Sequence, residues 1–295
     1  MKKPVFEGLA TAIVTPFKNG TIDIPTFEML LDTQLAANVD AIVVCGTTGE
    51  AATLSYNERM ALIERCVRTA DRRVPVIAGS GTNSTASSIA LSKAAQSAGV
   101  DALLTVTPYY NKASQSGLVQ HFSAIADAVD VPVILYNVPA RTGIGCTVQT
   151  YQALAKHPNI VGVKEASDNF DLIQDTLNLC PPGFTVWSGN DGSTAAIMAL
   201  GGKGVISVAA NVVPREMHEL TQLCLKNRFL EAGALQLKLH ELIRALFCEV
   251  NPIPVKAAME LLGLCSGELR LALCRMSERH LEQLSSALKP FRASV

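Results

Sequence analysis

Short apolar runs recur along most of the chain, and segments with helical periodicity separate them. Each run is continuous rather than alternating, which is typical of parallel strands covered on both faces. We therefore predict eight strands, over residues 9–14, 41–45, 74–78, 102–106, 131–136, 160–164, 184–187 and 204–208.

The segments between the runs carry helix signals. Ser55 and Glu58 have the spacing of a capping box, in which each side chain accepts a hydrogen bond from the other residue's backbone N–H. Pro25 suits a first helical turn, where its missing N–H is not needed. Leu118 and Phe122 begin an apolar stripe with helical spacing. A helix is thus expected after each predicted strand.

A strand–helix unit repeated eight times predicts an α/β fold, the (β/α)₈ TIM barrel. A doubly wound open sheet is the alternative, because sequence alone does not show closure. Beyond residue 208 the strand pattern stops and Leu-rich helical stretches follow. We expect residues 1–226 to form the barrel and residues 227–295 to form a small, all-helical C-terminal domain.

Composition and charge restrict the function classes. Lysine plus arginine (25) nearly balance aspartate plus glutamate (26), so the chain lacks the basic field that nucleic acid or an anionic membrane surface would need. No segment approaches the roughly 20 apolar residues of a membrane span. The eight cysteines form no C-x-x-C pair and do not cluster with the five histidines. We expect a cytoplasmic protein with reduced cysteines and no metal site.

The ends of the predicted strands carry the candidate chemistry, since barrel enzymes build their active sites there. Lys164 ends the sixth run among apolar neighbours. Burial disfavours a charged ammonium, and a neutral amine at this place could attack a carbonyl and form an imine. The ordinary alternative is a lysine that pairs with Glu165 or reaches solvent. Tyr136 ends the preceding run, where its phenol could transfer the protons that imine formation requires.

Two further groups suit anionic substrates. Thr47 and Thr48 lie between glycines on a strand-to-helix turn, whose hydroxyls and backbone N–H groups could bind a carboxylate, although an ordinary turn would look the same. Arg141 lies in a Pro/Gly loop after Tyr136. Its guanidinium could bind a second carboxylate through two hydrogen bonds, or be a solvated loop charge.

With these residues in place, the chain resembles the pyruvate-dependent class I aldolase and lyase superfamily and, within it, the dihydrodipicolinate synthase family. The resemblance runs nearly end to end and keeps the order of the motifs. They are Gly46-Thr47-Thr48-Gly49-Glu50, Pro108-Tyr109-Tyr110-Asn111, Tyr136-Asn137-Val138-Pro139-Ala140-Arg141-Thr142-Gly143, Val163-Lys164-Glu165-Ala166 and Asn251-Pro252-Ile253-Pro254-Val255-Lys256.

The resemblance implies a Schiff-base lyase that condenses pyruvate with L-aspartate 4-semialdehyde to 4-hydroxy-tetrahydrodipicolinate, the first step of the diaminopimelate and lysine branch. It implies no metal or organic cofactor, and a homotetramer. The implied catalytic residues are Lys164 for the imine and Tyr136, Thr47 and Tyr110 for proton transfer, with Tyr110 reaching a neighbouring subunit's site. The implied substrate-binding residues are Thr48, Arg141, Ile206 and Gly189.

The chain departs from the family at a regulatory pocket. Lysine-inhibited members are expected to carry His, His and Glu where Tyr56, Arg59 and Ser87 stand here, while Asn83 and Tyr109 are retained. The missing carboxylate and the added guanidinium both disfavour a bound ammonium, so we predict weak or absent inhibition by L-lysine.

Two other functions stay open at this point. One is a sibling aldolase with the same imine lysine, such as an N-acetylneuraminate lyase or a 2-keto-3-deoxy sugar acid aldolase. A site for polyhydroxylated substrates would favour polar groups over Arg141, and those relatives tend to have serine at the place of Thr47. The other is a barrel that has lost catalysis and only binds. The simultaneous presence of Lys164, Tyr136, Thr47 and Tyr110 argues against that reading.

Overall fold

The computed structural model describes residues 2–291, and its centre is a closed barrel of eight parallel strands. The strands in chain order are β1 (Gly8–Ala12), β2 (Phe17–Lys18), β3 (Thr21–Ile22), β4 (Ala41–Val44), β5 (Val76–Gly79), β6 (Ala102–Val106), β7 (Val133–Asn137), β8 (Ile160–Glu165), β9 (Thr185–Ser188) and β10 (Gly204–Ser207). The barrel follows the order β1, β4, β5, β6, β7, β8, β9, β10 and closes by pairing β10 with β1. The predicted barrel is confirmed, and the open sheet is excluded.

Helices surround the barrel and continue beyond it. They are α1 (Ile24–Ala36), α2 (Tyr56–Ala70), α3 (Thr85–Ser97), α4 (Gln115–Asp127), α5 (Pro139–Thr142), α6 (Val148–Leu154), α7 (Phe170–Leu179), α8 (Thr194–Ala199), α9 (Pro214–Leu225), α10 (Phe229–Leu246), α11 (Ile253–Leu261) and α12 (Glu278–Leu288). The last three form the helical region after the barrel. Its division from the barrel at residue 226 stays a prediction. Between residues 2 and 291, no helix has both the length and the apolar composition needed to cross a bilayer.

Helices α1 and α2 begin at the residues where their local sequence signals predicted a helix start. The Ser55 hydroxyl accepts a hydrogen bond from the Glu58 N–H, and the Glu58 carboxylate accepts one from the Ser55 N–H, which completes the capping box of α2. Asp23 caps α1, and Pro25 lies in its first turn. The small β2–β3 hairpin was not predicted, because two-residue strands leave no periodicity to detect.

The apolar side chains form two layers. One layer fills the space between the strands and the surrounding helices, and the other fills the barrel interior. The inner layer contains Ile134, Tyr136, Val161, Trp187 and Ile206. These side chains therefore point into the barrel, and Tyr136 lies near the carboxyl end of β7, where barrel enzymes build their sites.

Strand β8 contains one irregularity. Its pairing with β7 runs from Val133 opposite Ile160 to Ile134 opposite Gly162, so β8 has one extra residue. Val161 packs in the inner layer, whereas Ile160 and Val163 pack in the outer layer. Gly162 makes the irregularity sterically possible, because a Cβ at this position would meet the Thr185 carbonyl oxygen of β9 at 2.1 Å.

Candidate active site

A cavity of about 420 Å³ opens where the barrel strands end. This is the end of a (β/α)₈ barrel where loops carry function. Its wall combines apolar surface with a few polar side chains from separate loops, among them Cys45, Thr47, Arg59, Tyr109, Tyr136, Arg141 and Asn251. Three of the residues predicted for catalysis or substrate binding, Thr47, Tyr136 and Arg141, are thus brought together on one surface, and Arg59 and Tyr109 of the predicted regulatory pocket lie on the same surface.

Lys164 lies behind the cavity wall, where it contacts the wall residue Tyr136. The two residues are directly opposite each other on neighbouring strands, β8 and β7. The Lys164 Nζ lies 4.5 Å from the centroid of the Tyr136 ring, and Lys164 is only 5% exposed. A buried amine in contact with a phenol that faces the cavity is suited to attack a carbonyl carbon and to exchange protons with the phenol.

Glu165 does not pair with Lys164, because strand alternation places it on the outer side of the sheet. Its carboxylate accepts hydrogen bonds from the Asn137 amide at 2.9 and 3.1 Å, from the Tyr151 hydroxyl at 2.6 Å and from the Ser167 N–H at 2.9 Å. Burial raises the pKa of Glu165, and these hydrogen bonds oppose the shift. Sequence reasoning missed this network, which holds the end of β8 immediately after the lysine.

Cys45 is the other potential nucleophile in the cavity wall. The residue is almost fully buried, and burial raises the pKa of its thiol to about 12, an effect that nearby Arg59 only partly offsets. Because the thiolate is the reactive form, Cys45 is held as an unreactive thiol. Cys45 is therefore a poor candidate for the nucleophile of this cavity.

The Thr47–Thr48 turn presents its two hydroxyls differently. Thr47 lines the cavity, whereas Thr48 is buried at 2% exposure behind it. The Thr48 hydroxyl oxygen accepts a hydrogen bond of 3.0 Å from the side-chain amide of Asn251. Asn251 comes from the segment between α10 and α11, so the helical C-terminal region contributes directly to this end of the barrel.

Arg141 lies in α5, the short helix after β7, and its side chain is exposed. One guanidinium nitrogen, Nη2, donates to the backbone carbonyl of Asn251 at 2.9 Å. Arg141 also lines the cavity, and a guanidinium has further N–H donors with which it can bind a carboxylate.

The remaining predicted residues occupy different places around the barrel mouth. Ile206 is fully buried on β10. The turn after it is held by buried Asp191, whose carboxylate accepts from the Val208 and Ala209 N–H groups, each at 3.0 Å. Gly189 follows β9 and approaches the β8 backbone closely, with its N–H 2.7 Å from the Glu165 carbonyl oxygen.

Tyr110 is separated from the other proton-transfer candidates. It has a φ of +72° and is 89% exposed. Within residues 2–291 it does not contribute to the wall of its own cavity, although its neighbour Tyr109 does.

The predicted regulatory residues lie near the start of α2 and of α3. Tyr56 and Ser87 are exposed, while Arg59 is half-buried, lines the cavity and donates to the Ala51 carbonyl. Asn83 and Asn111 are joined through the Asn111 amide, which donates to the Asn83 carbonyl at 2.6 Å.

A buried ion pair ties the Thr47–Thr48 turn to α11. Lys256 Nζ lies 2.8 Å from the Glu50 carboxylate, and the two side chains are 0% and 1% exposed. Lys256 also donates to the Thr15 carbonyl at 3.0 Å and lies over the Phe17 ring. The second Glu50 oxygen accepts from the Arg270 N–H at 3.0 Å. The sequence motifs contained Glu50 and Lys256 but gave no sign that they meet.

A closed (β/α)₈ barrel with a buried lysine beside a tyrosine of the cavity wall fits a lyase of the imine-forming class. Comparisons with known proteins narrow this class. The sequence profile of the "Dihydrodipicolinate synthetase family" matches residues 5–291. The chain belongs to this family.

Named relatives match the chain over its full length. The 4-hydroxy-tetrahydrodipicolinate synthase of Exiguobacterium sibiricum is 48% identical over 99% of this chain and 100% of its own. The crystal structure of dihydrodipicolinate synthase from Thermotoga maritima has a TM-score of 0.97 at 43% identity and covers 99% of this chain and 100% of its own. The Acinetobacter baumannii synthase, solved in complex with pyruvate, has a TM-score of 0.95 at 43% identity, covering 98% and 99%. The predicted family and enzyme class are confirmed.

Proposed function

We propose that this chain condenses pyruvate with L-aspartate 4-semialdehyde to give 4-hydroxy-tetrahydrodipicolinate. The observation that carries the proposal is the Lys164–Tyr136 pair, a buried amine 4.5 Å from the centre of a phenol ring that lines the cavity. The full-length relatives that carry the synthase name, and the neighbour solved with pyruvate, support the same reaction.

The first stage is imine formation. Lys164 Nζ attacks the keto carbon of pyruvate, and water leaves as the C=N bond forms. Tyr136 accepts and returns the protons, with Thr47 and a Tyr110 hydroxyl completing the relay. The Thr48 turn binds the pyruvate carboxylate, and backbone groups near Ile206 and Gly189 contact the bound keto acid.

The second stage forms the carbon–carbon bond. Loss of a methyl proton converts the imine to an enamine, whose carbon attacks the aldehyde carbon of the second substrate. Arg141 binds the carboxylate of that substrate. The substrate's amino group then attacks the imine carbon, closing the ring and releasing Lys164 as a free amine. These steps need no metal or organic cofactor.

Borohydride reduction in the presence of pyruvate tests the mechanism. The imine should be reduced to a stable secondary amine, and mass spectrometry of a digest should find the added mass on Lys164. A Lys164→Arg variant, which keeps the charge but cannot form this imine, is the matched control. Active enzyme without an adduct on Lys164 would overturn the mechanism. Comparing turnover of aspartate 4-semialdehyde with that of N-acetylmannosamine distinguishes the synthase from a sibling aldolase.

We also propose a homotetramer in which Tyr110 serves a neighbouring subunit's site. Its 89% exposure and its position outside its own cavity support this arrangement. Mixing two separately inactive variants, Lys164→Ala and Tyr110→Phe, should restore part of the activity if Tyr110 acts across subunits. Sedimentation should first show that mixed oligomers have formed. If activity does not recover in those mixed oligomers, the proposed role of Tyr110 in a neighbouring subunit's site is contradicted.

The proposed location is the cytoplasm, where thiols stay reduced. All eight cysteines are free in the structure, although several are exposed or only half-buried. Non-reducing and reducing mass measurements on the protein from its own cells should agree, and a disulfide-linked form would contradict the proposal.

We further propose that L-lysine inhibits this enzyme weakly or not at all. Tyr56 and Ser87 offer no carboxylate for the lysine ammonium, and Arg59 brings a like charge beside the cavity. A rate assay with increasing L-lysine should show little change, and strong inhibition at low concentration would refute the proposal. The variant Ser87→Glu should increase sensitivity.

A further inference from the structure

Asn251 lies between the two groups proposed to bind carboxylates. Its side-chain amide donates to the Thr48 hydroxyl oxygen at 3.0 Å, and its backbone carbonyl accepts from Arg141 Nη2 at 2.9 Å. It lines the cavity and is 6% exposed. One residue of the C-terminal region thus contacts both groups through two different parts of itself.

We infer that Asn251 is a positioning residue for pyruvate, acting through Thr48. This inference rests on the proposed function and assigns a role within that site. A threonine hydroxyl can donate one hydrogen and accept through its lone pairs. Because Asn251 supplies an N–H to the Thr48 oxygen, the Thr48 hydrogen is left to donate to the substrate carboxylate. The buried amide also holds the hydroxyl in one rotamer.

The two contacts of Asn251 allow an effect on pyruvate binding to be distinguished from an effect on semialdehyde binding. Substituting the side chain removes the hydrogen bond to Thr48 but leaves the backbone carbonyl that Arg141 uses. A second tie, between Glu50 and Lys256, holds the same turn independently. Loss of the Asn251 amide should therefore weaken pyruvate binding while leaving the turn and the Arg141 site in place.

The variant Asn251→Ala removes the donor, and Asn251→Asp replaces it by an acceptor of the same shape. In Asn251→Asp the carboxylate takes the Thr48 hydrogen and repels the pyruvate carboxylate. We expect the KM for pyruvate to rise about tenfold in Asn251→Ala and roughly a hundredfold in Asn251→Asp. In Asn251→Ala, the kcat and the KM for the semialdehyde should stay within about twofold of the wild-type values.

A double variant distinguishes positioning from general structural damage. If Asn251 acts through the Thr48 hydroxyl, Asn251→Ala added to Thr48→Val should raise the pyruvate KM no further than Thr48→Val alone. Asn178→Asp, at an exposed position on α7, controls for the added charge. Asn251→Gln, which retains an amide donor, should recover part of the affinity lost in the alanine variant.

The test combines two measurements on the intact enzyme: steady-state kinetics of each variant and borohydride trapping of pyruvate on the wild type. A pyruvate adduct on wild-type Lys164 together with an unchanged pyruvate KM in Asn251→Asp would overturn the role of Asn251 and leave the proposed reaction standing. The role of Asn251 would also be overturned if Asn251→Ala and Thr48→Val raised the pyruvate KM by independent factors in the double variant. Absence of the wild-type adduct would overturn the proposed reaction, and this inference with it.

Discussion

Replacing Lys256 by methionine removes one charge of a buried pair and leaves the other behind. Glu50 and Lys256 are 2.8 Å apart and at most 1% exposed. Methionine has a similar length, so the change leaves little empty volume and acts mainly on charge. After the substitution, the Glu50 carboxylate keeps one hydrogen bond, from the Arg270 backbone N–H at 3.0 Å.

The magnitude follows from these contacts. Removing one partner of a buried ion pair costs about 3–5 kcal/mol, because the remaining charge stays desolvated. The retained Arg270 N–H places the expected loss near the lower end, at about 3 kcal/mol. Adding Glu50→Gln removes the stranded charge while an amide oxygen can still accept from Arg270. The double variant should therefore lose only about 1–2 kcal/mol, mainly for the unpaired Thr15 carbonyl.

Urea unfolding followed by far-UV circular dichroism measures the three free energies of unfolding. The expected order of stability is wild type, double variant, then Lys256→Met. A loss below about 1 kcal/mol in Lys256→Met would refute the reasoning from the buried charge. A double variant less stable than Lys256→Met would refute the claim that the remaining carboxylate causes the loss.

Three further predictions concern catalysis and pH. Tyr136→Phe should lower kcat by about 10²–10⁴-fold, measured by steady-state rates, while far-UV circular dichroism stays unchanged. Arg141→Ala should raise the semialdehyde KM by about 10–100-fold with the pyruvate adduct on Lys164 intact, and equal weakening for both substrates would contradict its role. The Arg270 guanidinium lowers the pKa of Glu58 to about 2, so this carboxylate stabilises the fold above the ordinary value of 4.5. About 1 kcal/mol, after screening by solvent, should be lost as the pH falls from about 5 to about 2. Glu58→Gln should flatten that part of the stability curve.

The sequence predicted the parts of the fold that depend on neighbouring residues. Continuous apolar runs predicted the barrel strands to within two residues at every end, and the Ser55–Glu58 spacing predicted the start of α2. Lys164 and Tyr136 could be found because both end such runs. In a parallel barrel, the ends of neighbouring runs meet at one mouth.

Contacts between distant parts of the chain could not be predicted in the same way. Glu50 meets Lys256 and Thr48 meets Asn251 across more than 200 residues of sequence. The hydrophobic periodicity of a helix after the barrel does not show where that helix packs against the strand ends. The surroundings of Glu165 were missed for a related reason, since its partner Tyr151 lies on a helix whose packing fixes the contact.

The extra residue in β8 has a consequence for protein design. A regular strand would direct residues 161, 163 and 165 to the same side, which would put Glu165 rather than Lys164 inside the barrel. The irregularity at Gly162 reverses that parity and turns the amine of Lys164, rather than the acid of Glu165, towards the barrel interior. Grafting Lys164 and Tyr136 onto an idealised barrel would therefore fail unless the odd residue were grafted with them.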